Sequence, residues 1–250
     1  MIPLLAAKDP RAFPDVRQAL RHPNGLLAAG GDLSPERLIS AYRRGIFPWY
    51  SAGDPILWWS PDPRTVLFPG RIHLSRTLRK RLRRRVLTVT MDRAFGRVIR
   101  ACSAPRDADG GTWIVPEMLG AYETLHRLGF AHSVEVWQGG ALAGGLYGVA
   151  IGGVFYGESM FSRVDDASKV ALVHLCRRLE DWGFGLIDCQ MRTEHLLSLG
   201  ALEVRRSRFT ALLDQFCPLP GRRGTWDDGS VHFPSDRARP ADSPTLDTQQ

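Results

Sequence analysis

Residues 132–162 read HSVEVWQGGALAGGLYGVAIGGVFYGESMFS, and no other stretch of the chain limits its fold so tightly. Three runs rich in Val, Tyr, Phe and Ile are parted only by Gly139-Gly140 and Gly152-Gly153. Glycine pairs reach the positive φ angles that two-residue hairpin turns require, so the chain must double back twice into an antiparallel meander. Helical patterns flank it. VPEMLGAYETLHRLG precedes it and ends at Gly129. After it, Asp166 stands where a helix cap belongs, and Leu172, Leu175, Cys176 and Leu179 follow the i, i+3, i+4, i+7 spacing of a buried helix face. FGLIDCQM then reads as a strand, TEHLLSLG as a short helix and RFTALLDQF as a last element, while VLTVTM and AFGRVIRACS give a strand and a short helix upstream. The expected class is α+β.

The first segment has its own punctuation. Ser34 is placed to cap a helix with Pro35 at its first position and Glu36 in its first turn, and Arg43, Arg44 and Gly45 mark its end. The stretch IFPWYSAGDPILWWSPDPR follows, with Trp49, Trp58 and Trp59 close together; at least one of Trp58 and Trp59 should be core. Residues 1–63 are therefore expected to form a small N-terminal domain and residues 64–217 a larger one. Residues 218–250, polar and rich in Pro, Gly and Asp, are expected to be a disordered tail.

With 250 residues, 44% of them hydrophobic, the chain can bury a core. It nowhere runs to about 18 uninterrupted apolar residues, and its first residues do not read as a leader, so a soluble, cytoplasmic protein is expected. Cys102, Cys176, Cys189 and Cys217 are scattered without ligand spacing, which suggests neither a metal site nor a disulfide framework. The net charge of +7 favours a polyanionic partner. Its distribution says more: LSRTLRKRLRRR sets Leu74, Leu78 and Leu82 four residues apart among cations. Such a helix can dock by its leucines and offer Arg76, Arg79, Lys80 and Arg83, with Arg84 beyond them, to phosphates.

Two polar residues interrupt the strand FGLIDCQM. Strand alternation directs Asp188 and Gln190 to one face, and Ile187 and Cys189 to the other. The order of helices, meander, helix, strand and helix is that of the acyl-CoA N-acetyltransferase fold. That fold holds its pyrophosphate on a Gly-rich turn, yet here the turn is SRVDDAS, with two aspartates and no glycine, so coenzyme A is an unsuited donor. A non-catalytic RNA-binding module, or a hydrolase using Cys189 and His195, are the other readings.

Taken in order, GLLAAGGDLS, AYRRGIFPWY, PILWWSPDPR, GTWI, AHSVEVW, GGLYGVA, GESMFS, DASK, LIDCQ and SLGA resemble the leucyl/phenylalanyl-tRNA-protein transferases across roughly residues 10–216. The resemblance implies a bacterial cytoplasmic enzyme with no cofactor. It would move leucine or phenylalanine from charged tRNA onto proteins beginning with arginine or lysine, marking them for N-end-rule degradation. It also implies that Asp188 and Gln190 line the acyl-transfer site, Gln190 near the attacking amine and Asp188 orienting it or accepting charge, and that Glu158 matches a position holding an ammonium group. Trp49, Trp113, Phe155, Met160 and Leu175 are the candidates for the pocket that takes the aminoacyl side chain.

Overall fold

The protein is described by a computed structural model covering residues 2–6, 9–104 and 114–234. Its N-terminal part builds a four-stranded sheet from β1 (Leu4–Leu5), β2 (Leu26–Gly30), β3 (Phe47–Pro48) and β4 (Leu57–Trp59), in the order β1-β2-β4-β3, with helix α1 (Pro35–Arg43) between β2 and β3. The Ser34 side chain accepts from the Arg37 N–H and Pro35 opens the helix, as its sequence requires. Trp58 is fully buried, its Nε1 donating to the Gly30 carbonyl at 2.9 Å.

The larger part is one seven-stranded sheet, in the order β11-β5-β10-β9-β8-β7-β6. Its strands are β5 (Arg64–Leu67), β6 (Thr88–Met91), β7 (Ala131–Gln138), β8 (Ala141–Ile151), β9 (Val154–Ser162), β10 (Leu186–Gln190) and β11 (Leu202–Val204). Helices α2 (Arg76–Arg83), α3 (Phe95–Cys102), α4 (Pro116–Arg127), α5 (Ala167–Asp181), α6 (Glu194–Ser198) and α7 (Arg206–Phe216) complete it. The meander is β7-β8-β9, and Gly139 and Gly140 take φ of 56° and 79° at its first turn. Gly148 must stay a glycine, since a Cβ there would lie 2.2 Å from the Tyr156 carbonyl oxygen.

The sheet is covered on both sides. Tyr147, Tyr156 and Leu186 face one core shared with α1, α3, α4, α7 and Trp58, whereas Leu146, Phe155 and Ile187 face the other, under α2 and α5. Helix α5 carries the chain from β9 to β10, which lies parallel to β9. Those two strands pair only from Leu186↔Val154 to Asp188↔Tyr156, although β9 runs on beside β8 to Ser162. A gap in the sheet's pairing is thus left beyond Asp188.

Two expectations need correction. Asp166 does precede α5, but it sits at φ 63° and makes no cap bond; its carboxylate pairs with Lys169 at 2.8 Å, and Ser162 Oγ accepts from the Ser168 N–H instead. The segment after Cys217 is not disordered through its described part, residues 218–234. Trp226 is 2% exposed, lies flat on His132 at 3.7 Å and donates its backbone N–H to Asp92 at 2.7 Å, while His232 bridges Val89. One tryptophan buries enough apolar surface to hold a strap that has no periodicity of its own. No helix among the described residues is long and apolar enough to cross a membrane.

Candidate functional site

Strand β10 breaks its alternation where the chemistry was expected. Its register against β5 shifts between Asp188 and Gln190, and Gln190 takes φ 61°, the left-handed backbone of a bulge. The two side chains therefore part company. Asp188 is fully buried and grips Arg64, with Nε on Oδ1 at 2.8 Å and Nη2 on Oδ2 at 2.7 Å. The same Oδ1 accepts the Gln190 backbone N–H at 2.9 Å, so the carboxylate pins the bulge. Aromatic rings cover the guanidinium: its central carbon is 4.7 Å from the ring centre of Phe47 and 4.7 Å from that of Phe209.

Gln190 turns into a cavity of about 550 Å³ that opens where the β9–β10 pairing ends. Its Nε2 donates to Glu158 Oε1 at 3.0 Å. Glu158, half-buried on β9, also takes the Tyr42 hydroxyl on Oε1 and the Tyr122 hydroxyl on Oε2, both at 2.8 Å, and those two hydroxyls are 2.6 Å apart. Burial pushes the Glu158 carboxyl up to about 7, against the hydroxyls, which favour its charged form. Burial, and then the Glu158 charge, raises both phenols well above their ordinary value. Phe155, Met160, Leu172, Leu175 and Ile187 make one apolar wall, and Arg192, Thr193 and His195 also line the cavity. Trp49, 40% exposed, stands on the rim, fixed by the Trp59 Nε1 donating to its carbonyl at 2.7 Å.

Of the residues expected at the site, Gln190, Glu158, Trp49, Phe155, Met160 and Leu175 line this one cavity. Asp188 does not line it, because strand alternation sets it with Leu186 on the opposite face, against Arg64, and only Gln190 is redirected by the bulge. Trp113 lies outside the described residues. Sequence reasoning missed Arg64, Tyr42 and Tyr122, whose partners are 124, 116 and 36 positions away. A second opening, of about 680 Å³, lies between residues 50–56 and α4, with the acids Asp54 and Glu117 in its lining.

The family model of the leucyl/phenylalanyl-tRNA protein transferases matches residues 66–214, and the model of that family's N-terminal domain matches residues 31–62. The chain belongs to this family. It is 62% identical over 214 residues to a leucyl/phenylalanyl-tRNA–protein transferase of Nitrosomonas europaea, covering 86% of this chain and 91% of that protein. A protein of the same name in Azotobacter vinelandii is 62% identical over 213 residues, covering 85% of this chain and 94% of that one. The family member described here is accordingly an aminoacyltransferase. Among solved structures, L-PGS from Bacillus licheniformis overlays with a TM-score of 0.38 at 11% identity, across 82% of this chain and 66% of that one, a likeness too shallow to carry an argument.

Elsewhere in this transferase, α2 docks as its leucines require: Leu74, Leu78 and Leu82 are 7%, 1% and 1% exposed and join the core that also holds Phe155 and Leu175. Arg76, Lys80, Arg83 and Arg84 are exposed, whereas Arg79 is half-buried and donates from Nε to the Leu74 carbonyl at 3.1 Å. Burial pushes the Cys189 thiol up and, with Lys169 adding to it, the His195 imidazole down. Both shifts favour the uncharged thiol and imidazole, which weighs against the cysteine-hydrolase reading. Among the described residues no cluster of His, Cys, Asp and Glu could hold a metal ion.

Proposed function

We propose that the chain moves leucine or phenylalanine from a charged tRNA onto the α-amine of proteins beginning with arginine or lysine, marking them for N-end-rule degradation. The observation that carries this reading is one cavity with an apolar wall and a polar end made by Glu158 and Gln190. An aminoacyl ester is already activated, so an amine can attack it without a metal or a covalent intermediate; positioning and proton removal suffice. The aminoacyl side chain would lie against Phe155, Met160 and Leu175 under Trp49. The flexible thioether of Met160 suits a wall that must accept both leucine and phenylalanine. Gln190 would hold the attacking amine, with Asp188 acting through the bulge it pins rather than on the substrate. Arg76, Lys80, Arg83 and Arg84 would meet tRNA phosphates, with a lesser part for Arg79.

The order of meander, α5 and a parallel β10 supports reading residues 64–217 as an acetyltransferase-like domain behind an N-terminal domain of residues 1–63. Asp165 and Asp166 in the turn before α5 weigh against a pyrophosphate donor there. The deciding assay combines the protein, leucyl-tRNA and a peptide beginning with arginine. Leucine should appear on that peptide and not on its N-acetylated form; transfer to neither would end the proposal.

A further inference from the structure

Three oxygen pairs meet around Glu158: Oε1 with the Tyr42 hydroxyl at 2.8 Å, Oε2 with the Tyr122 hydroxyl at 2.8 Å, and the two hydroxyls with each other at 2.6 Å. Each such contact needs one proton between its oxygens. The two phenols bring two. With an ionised carboxylate, one of the three contacts sets lone pair against lone pair. Only when the carboxyl brings a third proton are all three filled, as a closed ring running Glu158 to Tyr42 to Tyr122 and back, in either direction. The Gln190 amide donates to Oε1 from outside the ring and touches the cavity at the same time.

We propose that Glu158, Tyr42 and Tyr122 form a ring that stores one proton, and that the ionised ring takes the proton which the acceptor's α-ammonium must lose before it attacks. The second half rests on the reaction proposed above. Glu158, which lines the cavity, is then the catalytic residue, and the two tyrosines, reached through it, are positioning residues. The proton count balances. The ammonium N–H breaks and a Glu158 O–H forms, leaving the nitrogen lone pair free. That pair bonds to the ester carbonyl carbon as the ester C–O bond breaks. The departing ribose oxygen takes the electron pair and the second nitrogen proton, and the ring returns its own proton to solvent.

The surroundings suit the task. Facing Glu158 are Tyr42 from α1, Tyr122 from α4, Tyr147 from β8 and Gln190 from β10, with the Arg64–Asp188 pair behind and Arg192 and His195 across the cavity. Burial is the largest influence and raises the carboxyl, the two tyrosine hydroxyls lower it, Asp188 raises it and Arg64 lowers it, and the carboxyl is pushed up to about 7. An α-ammonium has an ordinary pKa of about 7.7–8, close enough for nearly even proton exchange.

The test is an infrared pH titration of the whole protein, with the protonated carboxyl of Glu158 identified by difference against Glu158→Gln. The band should fade as pH rises, with its midpoint near 7. Tyr42→Phe or Tyr122→Phe alone takes one charge-assisted bond from the ionised ring and two neutral ones from the closed ring, losses of similar size, so each should leave the midpoint nearly unchanged, whereas the double variant should raise it by about one pH unit. The single-turnover rate of leucine transfer should follow the same midpoints, with tRNA affinity unchanged. A wild-type midpoint in the ordinary carboxylate range of about 4–5 would overturn the proposal whether or not the variants fold. So would single tyrosine variants that fold and each raise it by about half of what the double variant does, as two independent donors would. A titrating ring in a protein that transfers no leucine would support the proton store and overturn the reading of the reaction.

Discussion

Asp188 and Glu158 lie on adjacent strands, both withdrawn from bulk water, and their neighbours give them opposite characters. Asp188 meets a cation, two short bonds to Arg64 and a backbone N–H, and its negative charge is held in place. Glu158 meets two hydroxyls and an amide, none of them charged, and burial loosens its hold on the ionised state. Burial alone therefore does not say what an acid will do. A full opposite charge turns it into a fixed brace, whereas neutral donors leave it able to exchange a proton.

The hardest blow to this contrast is Asp188→Asn, which keeps the shape but strands the Arg64 charge in a dry interior. It should cost about 3–5 kcal/mol of stability, read by urea unfolding. A variant as stable as the parent yet inactive would make Asp188 a participant in the reaction and erase the distinction. Next in size, Gln190→Ala removes the amide that links the cavity to Glu158 while sparing the buried pair. Single-turnover transfer should fall about a hundredfold with tRNA affinity unaltered.

Charges that stay in water form a third class. Replacing Arg76 and Lys80 together with alanine should weaken tRNA binding about tenfold and flatten its salt slope by about two units, with little effect on transfer once tRNA is bound. An unchanged slope would place the phosphate contacts elsewhere. The last effect concerns stability against pH. The Glu158 carboxyl moves from 4.5 to about 7 on folding, so the folded chain holds a proton that the unfolded chain has released. Its contribution is whole below about pH 4.5 and is lost as pH rises through about 7. Glu135, also raised by burial, tilts the curve the same way, and the buried His132 and His174, both lowered, tilt it oppositely. The quantity to read is thus the difference between the parent and Glu158→Gln, about 2–3 kcal/mol between pH 5 and 8. A flat difference would put Glu158 in the same class as Asp188.

What the sequence made legible was local. The Gly139-Gly140 and Gly152-Gly153 turns, the cap at Ser34 and the leucine stripe of α2 each depend on residues within one turn of one another, and periodicity reports such relations directly. Phe155, Met160 and Leu175 were candidates for their apolar side chains, but alternation sets Phe155 and Met160 on opposite faces of β9, and a shift in the β8–β9 register accompanies their meeting at one cavity. The failures share one physical origin. A one-residue bulge at Gln190 reverses a face without any change in composition, the Arg64–Asp188 pair spans 124 positions, and Tyr42 meets Tyr122 across 80. Trp226 failed differently, as one of two aromatics in a polar stretch, its ring lying flat on that of His132.

The covering of Arg64 bears on how far this protein can be taken apart. Phe47 on one side of the guanidinium comes from the N-terminal sheet, Phe209 on the other from α7, and the Glu158 ring likewise takes Tyr42 from α1 and Tyr122 from α4. The two family models divide the chain between residues 62 and 66, a line that passes between the halves of both clusters. A fragment starting at residue 63 would keep a cation with one bare face and a carboxyl with one phenol. The division marks stretches of sequence without granting either autonomy: made separately, the two pieces could regain the site only by finding each other.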